Sequence, residues 1–564
     1  MIDDQPNEIK NSPSPDEAAP KVTQRITDVG YYYRAGDMEL GPFTVEQEQD
    51  PNLDLEIAAK LGVEPKDILK ARLREAERNL KREITISELN EILSTTVKHD
   101  EANKAITFLG MLLAQTDEDQ YNIAFQAESS TGKSYIPLEL AQYFPEEERR
   151  IYGGASPTSF YHEVGKYMPI REASEKFGLR GIFDAEELAD QKRKVIVVDL
   201  ERKILVFMDQ PHWMLMEKLR PLLSHDMKVL RYSTTDKTGK GGLRTKTVII
   251  RGYPTAILAT AKPTQEDQER TRMWLLSPEV SQEKFLESLK LLGVKIGHRE
   301  AFREWIETHP QRRWLKERIR QIRTTGIRNV IIPDWEKILE RYEEKRPYLS
   351  PRSQRDWPRL LFLIKGCAQL NCFNRVKAGE HSIIADQKDI DAGFDLYEKV
   401  AAPNELGLSP ETYRIYEEII LPLTQDGNGV ARKEIIKEFH RRYGRPLGHK
   451  RLKDEIIPAL ESVGLVTQEQ NPDDRRETLV YCTIQGRISP APNNTPHNSV
   501  VFYERIRAGI DWLSDPNNLD AEGWAPLDRL TEVVGGSEMV QVMVRHGLIE
   551  LHPSRPNLVR LVRR

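Results

Sequence analysis

Cysteine is nearly absent: the 564 residues hold three, Cys367, Cys372 and Cys482, with no C-x-x-C pair and no histidine cluster beside them. That scarcity argues against a disulfide framework and against a thiolate zinc site, and it fits a reducing compartment. Long apolar runs are missing as well, since none approaches the roughly 18 residues that a membrane-spanning helix requires. The first residues, Met1 to Asp4, are acidic and lack the basic and apolar pattern of a secretory leader. The expectation is a soluble, cytoplasmic protein with no membrane partner. There is no large charge excess either. With 83 basic and 88 acidic residues the formal net charge is -5, so any contact with a polyanion must come from local basic patches. No internal repeat is visible.

What the chain does have is length and charge: 564 residues, 30% of them charged, are too many for one core and imply several domains. Residues 1–25, rich in Pro, Asp, Glu and Ser, are expected to be a disordered tail. Residues 26–98 are expected to be helical, because Ile57, Leu61, Ile68, Leu69, Leu73 and Leu80 recur at helical spacing and a second helix over residues 84–93 has Ser87 as a plausible cap. Residues 99–280 turn apolar and read as an α/β core, and residues 281–402 as a helical unit. Residues 403–486 and 499–564 read as two smaller α+β domains, joined by a Pro-rich linker at 487–498.

Within the α/β core, the apolar residues 121–125 lead into Ala127-Glu128-Ser129-Ser130-Thr131-Gly132-Lys133-Ser134, and a helix is expected from Tyr135 to Tyr143. A strand, a G-x-x-x-x-G-K-[ST] loop and a helix form a phosphate-binding unit: backbone N–H groups wrap phosphate, the lysine reaches the β and γ groups, and the hydroxyl holds Mg²⁺. Ala127 replaces the first glycine, which is tolerable only if its φ is negative. A chance Gly-Lys-Ser turn is the bland alternative. Downstream, Ile204 to Asp209 is an apolar strand ending in a metal-ordering acid, and Val195 to Val198 is a second apolar strand, so a parallel sheet is expected. Gln210 follows Asp209. A glutamine orients water without accepting a proton, and Glu128 or Glu217 is available as a base, although no spacing selects either.

Residues 229–251 read as a β-hairpin around a Gly-Lys-Gly-Gly tip, with Arg231, Lys237, Lys240, Arg244, Lys246 and Arg251 set against Asp236 alone. Such a finger suits a phosphate backbone; a solvated sheet edge guarded by lysines is the alternative. After it, residues 254–261 form a buried strand in which Thr260 is placed to sense a γ-phosphate. Arg270 and Arg272 follow, where an arginine finger would reach a neighbouring subunit's nucleotide.

This order of loop, metal strand, basic hairpin, polar strand end and arginine pair is similar to that of AAA+ ATPases. The hairpin directly before the Thr260 strand resembles the minichromosome-maintenance (MCM) and mobile-element helicase branch. The helix opening over residues 349–361, followed by Ile383 to Asp386 and Asp389 to Ala392, resembles the lid of those helicases, so the likeness spans residues 100–400. The resemblance implies ATP and Mg²⁺ as cofactors. It implies Ser129, Ser130, Thr131, Gly132 and Lys133 around the phosphates, Ser134 and Asp209 on the metal, and Gln210 on the attacking water. It further implies Arg270 or Arg272 acting in trans, Arg352 or Arg355 contacting nucleotide from the lid, and a homo-oligomer, a hexameric ring in that family's manner. Ala127, Gln210 and Thr260, where an asparagine is commoner, depart from the pattern.

In the carboxy-terminal third, helices over 410–421, 432–443 and 448–463, the first stopping at Pro422, precede two strands about a charged turn at 472–476. Three helices and a β-wing describe a winged helix, with Lys450 and Arg451 at the start of the helix that enters a major groove. Docking of protein is the alternative use. A second module after the linker has similar spacing. The fold expectation is therefore an α/β P-loop AAA+ core with a helical lid, a helical amino-terminal region and two C-terminal winged-helix (α+β) domains. The functional expectation is an ATP-dependent DNA-binding motor, a ring-forming helicase or replication-initiation ATPase of a mobile element, which contacts DNA through Lys237, Lys240, Arg244, Lys246, Lys450 and Arg451. An ATP-switched loader, or a transposition or DNA regulator that does not unwind, is the alternative.

Overall fold

The computed structural model describes residues 22–561 outside 27–30, 45–46, 48–52, 128–130, 155–159, 161–164, 180, 237–243, 261–271, 347–348, 425–427, 472–476, 484–507, 511, 535–539, 541–542, 545–548 and 553–554. The expected linker and most of the expected tail lie outside the described residues. The amino-terminal region is not purely helical. It opens with an antiparallel sheet of β1 (Thr23–Ile26), β2 (Tyr31–Ala35) and β3 (Met38–Phe43), so residues 23–25 are strand and not tail. Three consecutive tyrosines favour a strand, and Tyr33 is buried with its hydroxyl accepting hydrogen bonds from Gln24 Nε2 and Arg72 Nε, both at 2.6 Å. The helices α1 (Leu53–Leu61), α2 (Pro65–Lys81) and α3 (Ile86–Leu93) follow. Ile57, Leu61 and Ile68 are buried as their spacing predicts, whereas Leu69 and Leu73 are exposed. The cap of α3 is Thr85 rather than Ser87, because Thr85 and Glu88 form a reciprocal capping box.

The central unit is a five-stranded sheet built after α4 (Glu101–Leu113). Its strands are β4 (Asn122–Gln126), β5 (Arg149–Tyr152), β8 (Ile204–Phe207), β11 (Thr255–Thr260) and β12 (Met273–Leu276), in the order β12-β4-β11-β8-β5. Every pairing is parallel. All residues of β4, β8, β11 and β12 are buried, as continuous apolar runs require when both sheet faces are covered. One face packs on α4 and on α5 (Tyr135–Ala141), the other on Leu215, Leu219 and Leu222 of α8 (Trp213–Leu223).

Val195 to Val198 do not join that sheet. They lie in β7 (Lys194–Asp199), within a second sheet of order β6-β7-β10-β9 that also holds β6 (Lys166–Pro169), β9 (Val229–Asp236) and β10 (Arg244–Arg251). Only residues 200–203 separate β7 from β8, too few for the crossover that parallel neighbours need. The expected hairpin is present as β9 and β10, in continuous antiparallel register from Arg251↔Val229 to Arg244↔Asp236. α6 (Ile170–Phe177) and α7 (Ala185–Ala189) cover one face of this second sheet.

Residues 282–406 are mainly helical: α9 (Gln282–Gly297), α10 (Arg299–Thr308), α11 (Pro310–Thr324), α12 (Trp335–Glu344), α13 (Ser353–Leu370) and α14 (Gln387–Leu406). A small three-stranded sheet sits among them. Further on, a helix starts at Pro410 and runs past Pro422 to Leu423 through a π-turn at Tyr416–Ile420, so Pro422 does not stop it. The wider turn immediately before the proline accommodates a residue that lacks an N–H. Helices over Arg432–Tyr443 and 449–462 follow, and the strand Val430–Ala431 joins Val466–Gln470 and Thr478–Cys482 in one antiparallel sheet. The last unit, with helix Leu527–Val534 and strands Ala525–Pro526, Ile549–His552 and Arg555–Leu561, has its own core around Leu530, Met543 and Val559.

Candidate nucleotide site and basic surfaces

Because β4, β11, β8 and β5 are parallel, their carboxyl ends share one edge, the edge at which open α/β sheets take ligands. The ends are laced together: Ala127 N donates to Thr260 O at 3.4 Å and Met208 N to Tyr152 O at 2.8 Å. Gly132 has φ +95°, and a Cβ there would meet no atom within 4 Å, so the loop is open on that side. Ala127 is not among the non-glycine residues of positive φ, which meets the one condition for an alanine at this point. Lys133 Nζ folds back across the loop to donate to Ala127 O at 3.3 Å. Ser134 Oγ donates to Met208 O at 3.4 Å, which brings the loop beside the residue preceding Asp209. Thr260 Oγ1 donates to Gln210 Oε1 at 3.2 Å.

Lys133, Ser134, Asp209, Gln210 and Thr260 therefore gather at one edge, although they come from three strand ends. Asp209 and Gln210 are exposed. A hydroxyl beside a carboxylate is an all-oxygen set of the kind Mg²⁺ takes, with phosphate oxygens and water completing the shell. Thr131 is buried under the loop. Glu128, Ser129 and Ser130 lie outside the described residues. Glu217 sits exposed on α8 toward the hairpin, where burial first and the Glu217 charge second raise the Tyr232 phenol above its usual range.

One residue at this edge escaped the sequence reading. Gln126 closes β4, in register with Thr260, and is 5% exposed, yet neither of its amide atoms has a hydrogen-bond partner among the described residues. Asn122, at the other end of the same strand, is by contrast bonded to Leu223 O and Ala256 N. An amide ending a strand of apolar neighbours was the available signal.

The arginines divide. Arg270 lies outside the described residues, and Arg272 is half-buried directly before β12. Arg355 is exposed at the start of α13. Arg352 pairs with Asp356 at 3.3 Å, and Asp356 also accepts from Arg359 Nη1 at 2.7 Å. Arg359 in turn donates to Met273 O at 2.6 Å, so this cluster fastens α13 to β12. Beside the loop, the Tyr135 hydroxyl donates to Thr96 O at 3.0 Å and Lys295 of α9 stands 6.0 Å over its ring.

The basic surfaces are thinner than their composition suggests. Arg231 is bonded to both carboxylate oxygens of Glu187, and Arg251 pairs with Asp199 and Glu201. Both brace the base of the hairpin. Lys237 and Lys240 lie outside the described residues, Arg244 begins β10, and Lys246 is half-buried with its ammonium 5.9 Å over the Tyr167 ring. Arg451 is committed to Glu411 at 2.7 Å, alongside Arg445. Lys450 is exposed at the start of its helix.

No helix among the described residues is long and apolar enough to cross a membrane. No known family profile matches the chain, and no curated protein matches it. Among solved structures the chain is similar to one described as "SCCmec type IV Cch - active helicase", at 11% sequence identity over 82% of this chain and 78% of that chain, with a TM-score of 0.26.

Proposed function

We propose that the chain is an ATP-hydrolysing, DNA-binding motor of the AAA+ type, a ring-forming helicase or replication-initiation ATPase. The observation that carries this reading is the convergence of Lys133, Ser134, Gln210 and Thr260 at the carboxyl edge of an all-parallel sheet. The phosphate loop and the acid strand are not neighbours in that sheet. β11 lies between them, so Thr260 stands where it meets both the loop and the residue after the metal-ordering acid. Lys133 would bind the β and γ phosphates, and Ser134 and Asp209 would hold Mg²⁺, which when bound neutralises phosphate charge. Gln210, oriented by Thr260, would hold the attacking water. Arg270 or Arg272 would act on a neighbouring subunit's nucleotide, and the apolar residues Leu286, Leu289 and Ile296, all exposed on α9, support an assembly that covers them. The three-helix and β-hairpin unit at 410–482, read as a winged helix, and the exposed Lys194 on β7 beside β10 support DNA as partner.

Gln210→Ala is expected to lower kcat about ten-fold with little change in KM for ATP, because the amide positions water and does not bind phosphate. Gln210→Glu should match or exceed the natural chain. Equal turnover by all three proteins in a phosphate-release assay would assign the water to another residue. A glutamine at this place also favours a second reading, a slow ATP-switched loader. Strand displacement on forked DNA separates the two: a motor unwinds with ATP and fails with ADP, whereas a loader binds the fork and leaves it paired.

A further inference from the structure

One face of the second sheet changes character along its strands. Ile196 and Val198 of β7 and Val248 and Ile250 of β10 point into the core shared with α8. Residues two apart along a strand share a face, so the same face next presents Lys194 and Lys246. These two lysines are side by side, since β7 and β10 pair in parallel with Thr247 opposite Val195 one residue further in. On β6, Tyr167 pairs with Ile196 and belongs to this face too. It is 59% exposed, while the next residue, Met168, turns into the opposite core. The ammonium groups of Lys194 and Lys246 stand 5.4 and 5.9 Å from the centre of the Tyr167 ring.

We propose that Tyr167, Lys194 and Lys246 form a contact site for single-stranded nucleic acid, in which a base stacks on the tyrosine ring and the lysines hold the adjoining phosphates. The argument rests on the pairing of two chemistries. Lys194 and Lys246 set positive charge beside one exposed ring, where a phosphate is attracted by both ammonium groups. The ring offers the π surface on which an unpaired base of any sequence stacks. An acidic peptide would satisfy the lysines and leave the ring unused; a duplex keeps its bases stacked on one another and offers only phosphates. The proposal rests on the nucleic-acid part of the reading above and is independent of ATP hydrolysis.

The test uses the full chain without nucleotide, in fluorescence anisotropy with three labelled probes: an oligothymidylate, the same length of abasic strand, and a duplex. The natural chain should prefer the base-bearing strand to the abasic one by about ten-fold. Tyr167→Ala should abolish that preference and leave abasic binding unchanged, and Tyr167→Phe should keep it. Lys194→Gln should weaken both single strands and reduce the slope of log K against log salt by about 0.7. Retention of the full preference by Tyr167→Ala would overturn the stacking site while leaving the motor reading in place. If the natural chain binds none of the three probes, the stacking site and the DNA-binding reading fall together.

Discussion

Lys133→Ala is expected to reduce ATP turnover by roughly 10²–10³-fold, about 3–4 kcal/mol of transition-state stabilisation, as the loss of a preorganised charge at a phosphoryl group does. The fold should not notice. In the structure the Lys133 side chain is half-buried and, among the described residues, makes one hydrogen bond, to Ala127 O at 3.3 Å, within its own loop. Truncating it leaves no cavity, and substitutions of that kind change stability by about 0.5 kcal/mol or less. Phosphate release and a melting curve on the same preparation decide the matter. Turnover within two-fold of the natural chain would remove Lys133 from the chemistry, and with it the nucleotide assignment.

The parts of this site that were legible in the sequence are those fixed by local pattern. A buried strand, a glycine that needs positive φ, a lysine and a hydroxyl occupy consecutive positions, so the loop could be read without knowing what lay across from it. The gathering of Thr260 and Gln210 was not readable in the same way. It depends on β11 lying between β4 and β8, an arrangement set by long connections that pass through other elements and not by local spacing. Gln126 illustrates the limit further: that this buried glutamine has no partner among the described residues depends on what packs around it, which its place at a strand end does not tell.

Charge was the least legible property. Counting basic residues along 229–251 suggests a uniformly basic finger, yet the acids that neutralise Arg231 and Arg251 come from α7, from the end of β7 and from the turn after it, far from the hairpin in sequence. The same holds for Arg451 and Glu411. Strand assignment failed for a related reason. Val195 to Val198 are as apolar as β8, and only the brevity of residues 200–203 betrays that the chain changes sheets there. In the amino-terminal region, the helical spacing that starts at Leu55 does not reach back over Tyr31, Tyr32 and Tyr33, three aromatic residues that favour a strand.

Asp356→Asn is expected to destabilise the chain by about 3–5 kcal/mol, the cost of removing one partner from a buried ionic cluster. Asp356 is 2% exposed and is the carboxylate on which Arg352 and Arg359 converge. Arg359, 5% exposed, also spans to Met273 O and lies 5.4 Å over the Trp274 ring, so this acid supplies counter-charge to the side chain that holds the edge strand next to β4. Loss of that charge removes an ion-pair partner from two guanidinium groups and loosens α13 from the sheet. The same cluster divides the two arginines that the family resemblance nominated for nucleotide contact. Arg352→Ala should lower the melting midpoint together with Asp356→Asn, because Arg352 is held inside the cluster. Arg355→Ala, at an exposed position, should leave the midpoint unchanged and should act, if it contacts ATP, on KM alone. Thermal unfolding beside ATP titration of the three variants distinguishes these outcomes. An Asp356→Asn protein that melts with the natural chain would mean that the cluster does not fasten α13, and that Arg352 is available for the nucleotide after all.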